Sequence, residues 1–224
     1  MTTIDALMAE GHNRLLRRHG GLKQIFFLAP ADTEAPESIM GDTVAEIINP
    51  TELGFVSVGL LTDDGINIEE TFETEGTSSA GYLDNTREDL SSTENTIGVT
   101  LQESYNRFLE SVVRGADYSQ LAMSDKGEII YDNPGFPIFQ EYRGLALAVD
   151  GPPDDQWIMG EFFYALKLSS RDARAWAKGS TIDRPVTFKQ FPDVETGLPS
   201  RSFVAGTGPL KHAEALGFTP PVGG

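Results

Sequence analysis

The 224-residue sequence has no cysteine, and it has only 17 lysines and arginines against 34 acidic residues. Without cysteine, the chain can form neither a disulfide framework nor a thiolate metal site. No run approaches about 18 consecutive apolar residues, so we expect no membrane-spanning segment. The first residues lack the apolar stretch of a signal peptide, so we expect no export by that route. The shortage of cations argues against a protein that grips nucleic-acid phosphates.

Recognisable metal-binding patterns are also missing. The three histidines lie near the two ends of the chain and lack ligand spacing, so we expect them on the surface: His12, His19 and His212. The run Asp63-Asp64-Gly65 suggests a calcium loop, but its register fails. With Gly65 at loop position six, Leu60 would be the first ligand and Thr71 the last. The sequence therefore predicts no metal site.

Catalytic motifs are equally scarce. There is no phosphate-binding P-loop, and residues 76–81 do not fit the G-x-S-x-G pattern of a nucleophile elbow. A carboxylate pair such as Glu69 and Glu73 could serve glycoside hydrolysis, but acidic pairs are abundant throughout this chain. We expect neither an enzyme nor a cofactor-binding protein.

Negative charge is concentrated in one part of the chain. Eighteen of the 34 acidic residues lie between Ile25 and Glu110, together with only Arg87 and Arg107, so this segment carries −16 of the net charge of −17. Its carboxylates alternate with apolar residues at strand spacing, which is unlike a disordered acidic tail. A folded region with one sign of charge repels polyanions and attracts cations.

The fold class follows from turns and strand patterns. The 23 glycines and 13 prolines favour many turns and short strands. We predict strands over residues 24–29, 43–48, 55–61, 66–75, 128–131, 143–150, 156–169 and 185–191. Asp63-Asp64-Gly65 and residues 151–155 are predicted as hairpin turns. The prediction is one mainly β domain with a single packed α-helix.

Three helices are predicted. Thr100 to Glu103 forms a capping box that would begin the packed helix, and Gly115 would end it. Short helices are predicted over residues 2–19 and 210–216. The first ends in a basic cluster, Arg14, Arg17 and Arg18. This cluster suits the negative end of the helix dipole, or it forms an arm that docks on an acidic neighbour.

The predicted strand at residues 66–75 alternates strictly. Ile66, Ile68 and Phe72 point to one face, whereas the opposite face carries Glu69, Glu73 and Glu75. That face is either a solvated sheet surface or a functional acidic surface. Residues 76–96 are rich in Ser, Thr, Gly and Asn, and we predict a long loop or an exposed hairpin there.

Four stretches occur in an order and at a spacing that resemble one known family. They are Ile25-Phe-Phe-Leu-Ala-Pro30 with Thr33 and Pro36; Leu60-Leu-Thr-Asp-Asp-Gly65-Ile66; Thr86-Arg87-Glu88-Asp89 with Leu101-Gln-Glu103 and Asn106; and Pro185-Val-Thr-Phe-Lys-Gln-Phe-Pro192-Asp193, followed by Gly206 and Gly208. Together they resemble the major tail tube proteins of long-tailed, non-contractile bacteriophages, especially those of actinobacterial hosts. The resemblance covers roughly residues 25–217.

The resemblance implies a β-sandwich or β-barrel subunit with a flanking helix. It also implies homohexameric rings with an inner β-barrel that stack into a virion tail tube, assembled in the host cytoplasm. Its partners would be a tape-measure protein and a tail terminator, and double-stranded DNA would pass through without specific binding. The tail tube domain would span residues 25–217, with an acidic excursion (62–95), and would be followed by a tail (218–224). The basic helical arm (1–24) is where the chain departs from the family pattern.

Residue roles follow as hypotheses. Glu69, Glu73 and Glu75 would face the lumen, with Ile66, Ile68 and Phe72 packed on the subunit core. The basic cluster Arg14, Arg17 and Arg18 would dock on a neighbouring ring. The alternatives are a tail terminator, a tube subunit of a related injection device, or a β-sandwich module that binds carbohydrate or a host surface. Such a module normally exposes aromatic residues, whereas Trp157 and Trp176 are predicted in the core.

Overall fold

The computed structural model describes residues 23–44, 46–103, 105–174 and 176–219. The predicted first helix, with its basic cluster, and the last five residues lie outside this described part. The structure therefore does not test the predictions made for these residues.

One antiparallel sheet of eight strands forms the body, so the predicted mainly β class is confirmed. Its strands are β1 (Gln24–Pro30), β2 (Val56–Ser57), β3 (Leu61–Thr77), β4 (Arg87–Leu101), β5 (Glu141–Asp150), β6 (Trp157–Arg171), β7 (Arg184–Phe191) and β8 (Ser200–Ala205). The spatial order is β2-β1-β5-β6-β7-β4-β3, and β8 also pairs with β6. The helices are α1 (Arg107–Arg114) and α2 (Thr207–Lys211), with 3-10 turns at Pro50–Leu53 and Pro153–Asp155.

The sheet curls strongly upon itself. β5 and β6 separate β1 from β7, yet the rings of Phe26 and Phe188 lie with centroids 6.4 Å apart. Gly65 of the last strand, β3, approaches β1 so closely that a Cβ there would fall 2.3 Å from Nε2 of Gln24. The concave face encloses a core that includes Ile97, Leu166 and the apolar side of α1. The result is an incomplete barrel, with α1 packed against its interior.

A second core covers the outer face of the same sheet. Phe27, Leu145 and Phe162 point outward and are covered by Ile39 and Phe55, from the segment between β1 and β2. The rings of Phe55 and Phe162 meet edge to face, 6.2 Å apart. Because β6 is buried on both faces over Phe162–Leu166, its sequence is a nearly continuous apolar run instead of an alternating one.

The packed helix begins later than predicted. Asn106 is its N-cap, and its side chain accepts hydrogen bonds from the backbone N–H groups of Phe108 and Leu109. The predicted capping box at Thr100–Glu103 is wrong, because Leu101 is the last residue of β4 and is buried at strand spacing after Ile97 and Val99. The predicted end at Gly115 is confirmed, since this residue has the left-handed φ of 63°.

Several strand predictions also need correction. Asp63-Asp64-Gly65 is not a hairpin turn; β3 runs through it, with a register shift between Leu61 and Ile66 and a φ of 72° at Gly65. Pairing with β4 is recorded on both sides of this irregular stretch, at Leu61–Leu101 and Ile66–Val99. Among the described residues, 43–48 form a single bridge with Met40, 55–61 hold the two-residue β2 and the first residue of β3, and 128–131 form no strand. β8 was not predicted, because its sequence does not alternate between apolar and polar residues.

Two surface predictions were wrong. Trp176 is 73% exposed instead of buried, because it follows β6 in a segment that leaves the sheet. His212 is not a surface residue: its ring stacks on Trp157 at 6.1 Å, and its Nε2 lies 3.2 Å from a carboxylate oxygen of Asp155. The contact joins α2 to the β5–β6 turn, which only the tertiary structure brings together.

Gly144 offers a test of packing inside the barrel. A Cβ at this buried position would fall 2.5 Å from Cδ1 of Leu166, 3.2 Å from Phe163 and 3.3 Å from Phe26. We expect Gly144→Ala to lower the free energy of unfolding by about 1–3 kcal/mol, because the core must shift to accept the methyl group. Gly135→Ala is the matched control, since nothing lies within 4 Å of its Cβ position. Urea denaturation of both variants measures the difference; equal midpoints would contradict the tight packing.

Candidate functional site: an acidic hairpin arm

β3 and β4 extend far beyond the body as a two-stranded ribbon. The last β4–β7 pair is Thr96 with Lys189, yet β4 stays paired to β3 down to Arg87 opposite Thr77. Every residue of 69–94 is exposed, and we call this segment the hairpin arm. Eight residues per strand beyond the body, at about 3.4 Å each, give it a length of about 27 Å. Of the two predictions for residues 76–96, the exposed hairpin is the one observed.

One face of the hairpin arm is acidic. Strand alternation places Glu69, Glu73 and Glu75 on the same face, opposite Thr96, Ser92 and Asp89 of β4. The whole arm holds eight acidic residues and one arginine, Arg87. This arginine is held by Asp89 at 2.7 Å, so it neutralises little of the remaining charge. The three predicted glutamates are therefore exposed together, and their position facing a lumen stays a prediction.

The opposite face of the hairpin arm is apolar at several positions. Phe72 is 61% exposed and Leu90 is 60% exposed, and Tyr82 and Leu83 are exposed at the tip. The expectation that Ile66, Ile68 and Phe72 all pack on the subunit core holds only for Ile66, which contacts the inner core. The body does not extend as far as Phe72, so this side chain is exposed to solvent. An exposed apolar patch of this kind is typical of an interaction surface.

The root of the arm borders an open cleft. β3 is the last strand of the sheet, so its outer edge has no strand partner within the described residues. Between β3 and the strands β5 and β6 lies a cleft of about 400 Å³. Ile66, Ile68, Ala148 and Met159 supply its apolar wall, and Asp63 and Glu161 lie at its border. The barrel is open at the edge where another strand could pair.

A buried ion cluster lies at the opposite end of the body from the arm. Glu110 of α1 is fully buried and pairs with Arg114 of the same helix and with Arg184 at the start of β7. Burial by itself would raise the pKa of Glu110, but hydrogen bonds and charge from Arg184 and Arg114 outweigh it and lower that pKa. The i,i+4 spacing of Glu110 and Arg114 was visible in the sequence. The role of Arg184 was not.

The described residues contain no group of three or more His, Asp or Glu side chains placed to hold a metal ion. Within the same residues, no helix has the length and apolar character needed to cross a bilayer. Comparison of the chain with protein-family models and with curated proteins finds no match.

Proposed function

We propose that this protein is the structural subunit of a phage tail tube, a conduit for genomic DNA built from stacked hexameric rings. The observation that carries the proposal is the hairpin arm, which leaves the body with one acidic face and one partly apolar face, neither covered by the part of the chain that the structure describes. A two-stranded ribbon with exposed apolar side chains is stabilised when another subunit buries those side chains. From the resemblance to tail tube proteins, we infer that this subunit is another copy of the chain.

Ring formation also accounts for the open barrel. A long free edge such as that of β3 invites uncontrolled pairing with other chains. If a neighbouring copy lays a strand along this edge, the edge disappears and the cleft beside Ile66 and Met159 is filled. Six such contacts around a ring would join the arms into an inner barrel. Other partners would be a tape-measure protein inside the tube and a terminator at its end.

The acidic face suits the wall of a DNA conduit. We infer that Glu69, Glu73 and Glu75 face the bore, where carboxylates repel phosphates and leave DNA free to slide. Six copies of a chain with net charge −17 give roughly −100 per ring. Salt at physiological strength screens charges beyond about 8 Å, so repulsion across a wide bore does not prevent assembly. An obligate interface of about 2,000 Å² or more supplies the opposing stabilisation.

Negative-stain electron microscopy of the concentrated purified protein tests the proposal. The expected result is long hollow tubes with sixfold symmetry, whose number grows with protein concentration. Single rings that never stack would instead favour a tail terminator. A protein that stays monomeric at every concentration would contradict both functions.

Trp176 is the observation that favours a second candidate, a module for carbohydrate or a host surface, built on this single sheet instead of a β-sandwich. Its indole is exposed, as a sugar-stacking residue would be, and Arg174 lies over the ring at 5.4 Å. The cation occupies the stacking position, which weakens this candidate. Glycan-array binding that is lost in Trp176→Ala would support it, and no binding would leave the tail tube as the better proposal.

A further inference from the structure

Four arginines gather around one pocket of this acidic protein. The pocket holds about 330 Å³ and is lined by Arg114, Arg171, Arg174 and Arg184. Asp172 is its one acidic lining residue, and Glu110 lies behind it as the partner of Arg114 and Arg184. We call this site the arginine pocket. It keeps an excess of positive charge after both carboxylates are counted, whereas the chain as a whole carries −17.

The arginine pocket has unused capacity to donate hydrogen bonds. Arg184 is only 6% exposed, and its buried Nε has no hydrogen-bond partner among the described residues. Arg171 donates to the backbone carbonyl of Val113 at 2.8 Å, and no carboxylate of the described chain lies within 4.0 Å of Arg171 or Arg174. Guanidinium groups arranged in this way are suited to carboxylates, which they bind through paired N–H donors.

The arginine pocket and the hairpin arm lie at opposite ends of the same strands. β4 and β7 are antiparallel, with Leu101 opposite Arg184 at the pocket end and Thr96 opposite Lys189 at the other end. The arm leaves the body beyond the second pair. Each copy therefore presents a basic socket at one end and an acidic projection at the other. Such a pair of unlike surfaces joins copies head to tail, and the resulting chain of contacts need not close.

We propose that the arginine pocket receives the acidic tip of the hairpin arm from a second copy of this chain. Asp84 and Glu88 are the contacting carboxylates, because Asp84 lies at the tip and Glu88 lies on the face opposite Glu73 and Glu75. The face that would line the bore is then left free. This inference deepens the proposed function, on which it rests, by assigning the contact between successive rings.

A charge-swap experiment tests the contact. The pocket variant carries Arg171→Glu and Arg174→Glu, and the arm variant carries Asp84→Arg and Glu88→Arg. Each variant alone juxtaposes like charges, so we expect it to need at least about tenfold more protein than the wild type to assemble. An equimolar mixture restores both opposite-charge contacts in an alternating stack, and we expect it to assemble close to the wild-type concentration. Sedimentation and electron microscopy measure the threshold.

Matched controls separate this contact from a change of net charge. Arg107→Glu with Lys126→Glu controls the pocket variant, and Glu128→Arg with Glu214→Arg controls the arm variant; all four control side chains are exposed. Thermal unfolding shows whether each variant folds. Arg174→Glu alone replaces the pocket pair if loss of the Arg171 contact with Val113 unfolds the body.

Restored assembly in the mixture alone supports the contact. Assembly of either swapped variant at its control's threshold overturns it, and so does a mixture that stays unassembled. If the wild type forms tubes but the mixture fails, the contact is wrong and the tail tube proposal stands. If the mixture associates but no hollow tube ever forms, the contact stands and the tail tube proposal fails.

Discussion

Glu110→Gln is expected to lower the free energy of unfolding by about 3–5 kcal/mol, because removing one charge from a buried ion cluster leaves its partners uncompensated. Glu110 is fully buried and is the shared partner of Arg114 and Arg184. Glutamine keeps the shape of the side chain but not its charge. Arg184 would then remain almost fully buried, with no counter-ion among the described residues. Chemical denaturation at neutral pH measures the loss.

The same variant predicts a pH dependence. The pKa of Glu110 in the folded protein lies below its ordinary value of 4.5, so its charged form stabilises the fold above that value. This stabilisation falls as pH drops through the lowered folded-state pKa. The difference between wild type and Glu110→Gln should therefore be largest at neutral pH and shrink in acid. Glu128→Gln, at an exposed carboxylate, is the control and should change stability little at either pH. A pH-independent difference would contradict the assigned cause.

Removing the hairpin arm is expected to abolish tube formation without unfolding the body. A shortened protein joins Glu70 directly to Asn95 through an Asn-Gly turn, which suits this pair of antiparallel strands. Every deleted residue is exposed, and both cores lie outside the deleted segment. We therefore expect a cooperative unfolding transition near that of the wild type. Electron microscopy and sedimentation should show no tubes at concentrations where the wild type polymerises.

A double substitution in the full-length chain separates the apolar side of the arm from its acidic side. Phe72→Ser with Leu90→Ser keeps the arm and its charge but removes two exposed apolar side chains. If subunits are held together by burial of this face, assembly should weaken strongly in this variant too. If the shortened protein forms as many tubes as the wild type, the role assigned to the arm is wrong. Tubes from the serine variant alone would assign that role to the acidic side.

In β3 and β4, sequence alternation predicted the strand and its faces but not what surrounds them. Alternation predicted the strand at residues 66–75 and the shared face of Glu69, Glu73 and Glu75, because a strand alternates whatever surrounds it. It could not say that Phe72 lacks a core partner. Whether Phe72 has a core partner depends on where the pairing of β7 with β4 ends, and no local pattern in β3 specifies that position.

For the packed helix, a local sequence pattern predicted the wrong starting residue. Thr100 to Glu103 has the residues of a capping box, yet Leu101 is taken by the sheet, and Asn106 caps the helix instead. Local propensity is weak enough for a long strand pairing to override it. The arginine pocket is another such case, since its arginines come from α1, the end of β6, the segment after β6 and the start of β7.

Amino-acid order by itself determined the mainly β class, the end of the helix at Gly115, and the concentration of acid between residues 25 and 110. These depend on composition, turn chemistry and short periodicities. Tertiary structure alone decided that the sheet curls into an open barrel, that the acidic ribbon projects from one end, and that Arg184 meets Glu110 at the other. Such features arise from strand order and register between distant segments, so no local pattern specifies them.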